Sequence, residues 1–97
     1  MVIEFGRWRL EPLDRLNWEL CHWHAATRGK NEGTERWHRL GRYYQWNTLA
    51  AAVLFAADVE AKEGGEAVGL AEFAERYESI VARLRDSMGA SLRGEVA

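Results

Sequence analysis

Leu16-Asn17-Trp18-Glu19-Leu20-Cys21-His22-Trp23 sets large apolar side chains at every second position over its first five residues. In an extended chain successive side chains point to opposite faces. Leu16, Trp18 and Leu20 therefore share one side, and Asn17, Glu19 and Cys21 the other. Upstream, Trp8 and Leu10 repeat the pattern against Arg7 and Arg9, and Pro12-Leu13-Asp14-Arg15 reads as a turn, because proline cannot donate to a ladder. Downstream, Arg28-Gly-Lys-Asn-Glu-Gly-Thr34 is polar, carries two glycines and reads as a loop. A third run then puts Trp37 and Tyr43 on one face and Arg36, His38, Leu40, Arg42 and Tyr44 on the other, with Gly41 marking a bulge or a close backbone approach. Three short runs with turn-sized connections predict a three-stranded antiparallel meander.

After Trp46 the period changes. Asn47 or Thr48 is placed to cap a helix whose stripe is Leu49, Val53, Leu54 and Ala57, stopped by Gly64-Gly65. A second helix follows Gly69, with Leu70, Phe73, Tyr77, Ile80, Val81, Leu84 and Met88 recurring every three or four residues, and Gly89 ends it. The sheet face carrying Trp8, Leu10, Trp18, Leu20, Trp37 and Tyr43 needs cover, and both helices need somewhere to bury a stripe. The expected architecture is α+β, a three-stranded sheet covered on one face by two helices in the order βββαα. Residues 1–89 form one domain in this reading, and residues 90–97 a flexible tail.

Composition bounds the rest. The chain has 97 residues, 47% hydrophobic and 29% charged, an ordinary globular balance. All five Trp lie between Trp8 and Trp46, giving a small core large rings to bury. Up to Trp46 there are eight Lys/Arg against six Asp/Glu; beyond it, five against nine. A single cysteine, Cys21, excludes an internal disulfide framework. No apolar run reaches the roughly 20 residues that span a bilayer, and Met1 to Arg7 lacks the features of a signal peptide. The expectation is a cytoplasmic protein, with no membrane association, as a monomer or a homodimer.

Catalytic motifs are missing. His22 and His24 share a strand face, but the expected register sends His38 to the opposite side, and neither HExxH nor CxxC is present. Adjacent strand residues diverge, so His22 cannot activate Cys21. The serines, Ser79, Ser87 and Ser91, lack a nucleophile elbow. No catalytic residue, metal or cofactor is assigned, and the protein is read as non-enzymatic. The outer sheet face is the candidate site: Arg7, Arg9, Arg36 and Arg42 interleaved with Trp23, His38 and Tyr44, extended by Arg28 and Lys30 on the loop. Trp, Tyr and Arg dominate protein hot spots. Arginine with stacking rings also suits single-stranded nucleic acid, though a pI near 5.9 and Glu19 inside the patch favour a protein partner. Cross-strand Arg–Glu pairing that keeps an exposed sheet soluble is the plainer reading. Glu72, Glu75 and Glu78 with Asp58, Glu60, Glu63 and Glu66 form an acidic helical side, read as a solvated face or as a phosphate mimic.

Trp8-Arg-Leu10, Asp14-Arg-Leu16-Asn17-Trp18-Glu-Leu20, the Gly-Lys-Asn-x-Gly loop, Gly41-Arg-Tyr43-Tyr44 and the Leu49-Ala-x-Ala helix start together resemble a class of short phage- and prophage-encoded proteins. The resemblance covers residues 3 to 60 and is structural rather than chemical. His22 to His24, Trp37-His-Arg and the Gly64-Gly65 linker stand outside it. Proteins of this size and origin include anti-CRISPR inhibitors, so the resemblance implies an accessory protein that binds a host protein or ribonucleoprotein complex, such as a CRISPR effector.

Overall fold

A computed structural model describes residues 1–25, 33–63 and 68–94. Four strands precede two helices: β1 (Ile3–Phe5), β2 (Trp8–Pro12), β3 (Trp18–Ala25), β4 (Glu35–Tyr44), a 3₁₀ turn (Trp46–Thr48), α1 (Leu49–Lys62) and α2 (Leu70–Leu92). The strands form one antiparallel sheet in the order β1-β2-β3-β4. The α+β class and the two helices agree with the sequence reading; the strand count does not.

The additional strand is β1. Ile3 and Phe5 are fully buried opposite Leu10 and Trp8, and Gly6-Arg7 closes the hairpin as a two-residue turn. Gly6 is held there by its φ of +66°, and a Cβ would also sit 3.2 Å from Leu84 Cδ2. Three residues carry too little alternation to be read as a separate strand.

Trp8, Leu10, Trp18 and Leu20 line the covered face as expected, joined by Leu49, Ala52, Val53, Ala56 and Ala57 of α1 and Val81, Leu84 and Met88 of α2. The alanines of α1 let its backbone approach the sheet closely. Its C-terminal half is tied to both neighbours through Glu60, which accepts the Trp8 indole N–H at 2.6 Å and Arg83 Nη2 at 2.6 Å. The Gly64-Gly65 stop and Glu66 fall outside the described residues.

Strand β4 is inverted relative to the sequence reading. Trp23 lies opposite Trp37 and His22 opposite His38, so Trp37 is on the open face and His38 on the helix face. Further along, Cys21 pairs with Arg39 but Glu19 with Tyr43, so four steps of β4 match two of β3. Gly41, at φ +67°, sits in that bulge. Tyr43 thus lies on the open face, 56% exposed, while Tyr44 turns inward opposite Trp18. Large rings occur on both sides of β4, so size could not identify its inner face.

Helix α2 differs in its ends. It continues through Gly89 to Leu92, so residues 90–92 belong to the helix rather than to a tail. Those last turns cover the rim of the sheet, where Ser91 Oγ accepts the Glu4 N–H at 3.0 Å and Ser87 Oγ the Gly6 N–H at 3.2 Å. The outward N–H groups of edge strand β1 are therefore occupied, whereas β4 borders the sheet on the other side. At the opposite end Leu70 is 85% exposed, so the apolar stripe begins to pack only beyond it. Leu16, expected inward, belongs to the β2–β3 turn and is also exposed. The Asp14 carboxylate organises that turn by accepting the Leu16 and Asn17 N–H groups.

Candidate functional site

The eight expected contact residues do not form one surface. Arg7, Arg9 and Trp23 lie on the open sheet face; Arg36, Arg42 and Tyr44, with His38, lie on the helix face, as the inverted β4 requires. Arg28 and Lys30 fall outside the described residues.

On the open face the arginines are neutralised. Arg7 pairs with Glu35 at 3.0 Å, Arg9 with Glu11 at 2.5 Å, and Arg39 with Glu19 at 2.7 Å and Glu11 at 3.4 Å. The Arg9 guanidinium also lies 4.3 Å from the Trp37 ring centre, and Trp37 meets Trp23 edge-on at 5.5 Å. Arg7 and the Trp23 indole hold the Glu35 carboxyl below its ordinary range. Beneath these side chains Glu19 and Cys21 are buried, and desolvation pushes the Cys21 thiol up to about 11. The observed surface is the plain cross-strand Arg–Glu lattice, roofed by its own long side chains.

A second arrangement gathers where β3 begins and β4 ends. Trp46, 58% exposed, stands edge-on to buried Trp18 with ring centres 4.6 Å apart. Together with Leu16, Gln45 and Asn47 it lines a groove of about 300 Å³. Next to it, residues 41–44 frame a hollow of about 220 Å³ that displays Arg42 and Tyr43. The Arg42 guanidinium is set 3.9 Å from the Phe55 ring, and its Nε donates to the Tyr44 hydroxyl at 3.2 Å. Thr48 Oγ1 accepts the Gln45 N–H at 2.8 Å and the Thr48 N–H donates to the Gln45 carbonyl at 2.9 Å, fixing the 3₁₀ turn that holds Trp46 outward. Sequence reasoning misses this site because the alternation of β3 extends to Leu16 and no periodic segment includes Trp46. The available signal is a tryptophan beside a helix cap, past the last strand position.

The third arrangement runs along β3 and β4 on the helix face. Trp8 stacks on His22 at 4.0 Å, His22 is 4.9 Å from His24, and His24 stacks on His38 at 3.9 Å. The three histidines thus share one face, against the expectation that His38 would be opposite. His24 Nδ1 is 3.0 Å from His22 Nδ1, and His38 Nε2 donates to the His24 carbonyl at 3.1 Å. Burial, and then the neighbouring imidazole, lowers the His22 and His24 pKa values below the ordinary 6.5. A cleft of about 140 Å³ beside the pair is bordered by Arg7, Glu60 and Glu63. Among the described residues no group of three or more His, Cys, Asp or Glu side chains is placed to hold a metal ion.

No protein-family model, curated protein or solved structure matches the chain. Among the described residues no helix is long and apolar enough to cross a membrane.

Proposed function

We propose that this chain is a non-enzymatic accessory protein of a phage or mobile element that binds and inhibits a host macromolecular complex, with a CRISPR effector as the first candidate. The observation that carries the binding role is the exposed Trp46–Leu16 groove. Leu16 is 67% exposed, Trp46 58% and Tyr43 56%, all at one end of the sheet. Contiguous apolar groups rimmed by polar ones mark interaction surfaces, whereas scattered ones do not. Tryptophan, tyrosine and arginine at such a position match the composition of hot spots. Arg42 is exposed in the neighbouring hollow and exposed Arg15 directly precedes Leu16, so the occupant proposed is an apolar protein segment bearing a carboxylate. The phage-like sequence pattern is what nominates the host complex.

The alternative, single-stranded nucleic acid on the open sheet face, loses its main support because Arg7, Arg9 and Arg39 already carry glutamate partners. The test is an interference assay in cells expressing candidate effectors, paired with co-elution of purified components. Wild-type protein should relieve interference and co-elute with one effector, and Trp46→Ala should lose both while keeping its fold. Neither effect across the effector panel rejects the reading. Oligonucleotide binding that weakens steeply with salt would replace it with the nucleic-acid role.

A further inference from the structure

We infer that the His22–His24 pair is a chelating site for a transition-metal dication of tetragonal preference, copper(II) foremost and nickel(II) next. Two residues apart on a strand, the imidazoles project from the same face, and their Nδ1 atoms are hydrogen-bonded to one another at 3.0 Å; an ion taking both nitrogens replaces that shared proton, the donor ring then carrying its proton on Nε2. Imidazole–metal bonds run about 2.0–2.1 Å, so an ion bonded to both nitrogens would see them about 90° apart. That is the cis angle of a square-planar or octahedral centre. A tetrahedral ion would spread the nitrogens to roughly 3.4 Å at the same bond length.

The rings are held for the purpose from both sides. His22 is stacked on buried Trp8, and His24 on His38, whose own ring nitrogen is committed to the His24 carbonyl. Among the described residues this geometry supplies two ligands and no cluster of three is present. The remaining positions face the 140 Å³ cleft, where water or a small anion completes the coordination. Glu60 on the cleft wall is already engaged by Trp8 and Arg83, so it orients the Trp8 side of the site rather than binding the ion. The pair lies at the far end of β3 from the Trp46 groove, and occupancy of one does not require the other.

The test uses the full chain titrated with copper(II), nickel(II) and zinc(II) in a non-coordinating buffer. Copper should bind one per chain with electron-paramagnetic hyperfine structure from two imidazole nitrogens, and nickel at least as tightly as zinc. His24→Ala, checked for a native circular-dichroism spectrum, should weaken copper binding at least tenfold. In the wild-type chain, substoichiometric copper should broaden the ring signals of His22 and His24 first. Undiminished copper affinity in His24→Ala, broadening centred on the amino terminus, or tighter binding of zinc than of nickel would each overturn the assignment.

Discussion

Trp8 of β2 donates its indole N–H to Glu60 of α1 at 2.6 Å, from a ring that has no exposure to solvent. The same carboxylate receives Arg83 of α2, so one residue joins the sheet to both helices. Removing it strands a buried donor, a loss worth about 1–3 kcal/mol. Glu60→Ala should lower stability by about that amount in urea unfolding, and Glu60→Gln, which keeps an acceptor, by less. Equal midpoints for Glu60→Ala and wild type would refute the linkage.

Gly6 offers a second measurable site. A side chain there meets both a left-handed backbone and Leu84 at 3.2 Å. Gly6→Ala should destabilise the protein by roughly 1–2 kcal/mol. A shift in thermal midpoint smaller than that seen for a surface Ala82→Gly control would count against a tight hairpin.

Trp46→Ala tests the groove without testing the core. Trp46 contacts Trp18 only edge-on and is mostly in water, so unfolding should change little. Partner affinity should fall at least tenfold, corresponding to a truncation cost above about 1.4 kcal/mol. A loss of stability equal to the loss of affinity would make the residue structural instead.

Asp14 and Cys21 set opposite ends of the pH response. The Leu16 amide, then Asn17, lowers the Asp14 pKa below its ordinary 3.8. Its contribution to stability is therefore present above that value and disappears as pH falls through the folded one. Asp14→Ala should flatten the acid limb of the stability curve. The Cys21 thiol is raised from 9.0 to about 11, so the neutral form is favoured in the fold, and this contribution is full below pH 9 and lost as pH climbs toward 11. Iodoacetamide at pH 8 should label unfolded chain quickly and native chain slowly; equal rates would show the thiol to be accessible.

How much the residues disclosed in advance follows from where alternation was clean. β2 and β3 repeat apolar positions at a strict spacing of two, so Trp8, Leu10, Trp18 and Leu20 could be assigned inward before any coordinates. Helix α2 was equally legible from Val81, Leu84 and Met88. β4 was not, because Trp37, His38, Tyr43 and Tyr44 offer rings to both faces and the Gly41 bulge shifts the register by two residues. That inversion scattered the expected arginine surface and, at the same time, brought His38 beside His24. Leu16 reads as one more inward strand position and Trp46 falls in no periodic segment, because a groove between a turn and a cap leaves no periodic trace. Gly89 misled in the other direction: a glycine that often stops helices is carried through here, and Ser91 beyond it accepts the Glu4 N–H of β1.

The hydroxyls of Ser87 and Ser91 make the sheet one-sided as a template for growth. Among the described residues, an incoming strand finds the outward N–H groups of Glu4 and Gly6 already held at the β1 margin, whereas the other border is β4, where Gly41 interrupts the ladder. Two molecules could align their β4 borders once, and each would then turn its serine-held margin outward. To extend the sheet from β1 a further copy would have to displace those serines, so growth by this route is disfavoured beyond a pair.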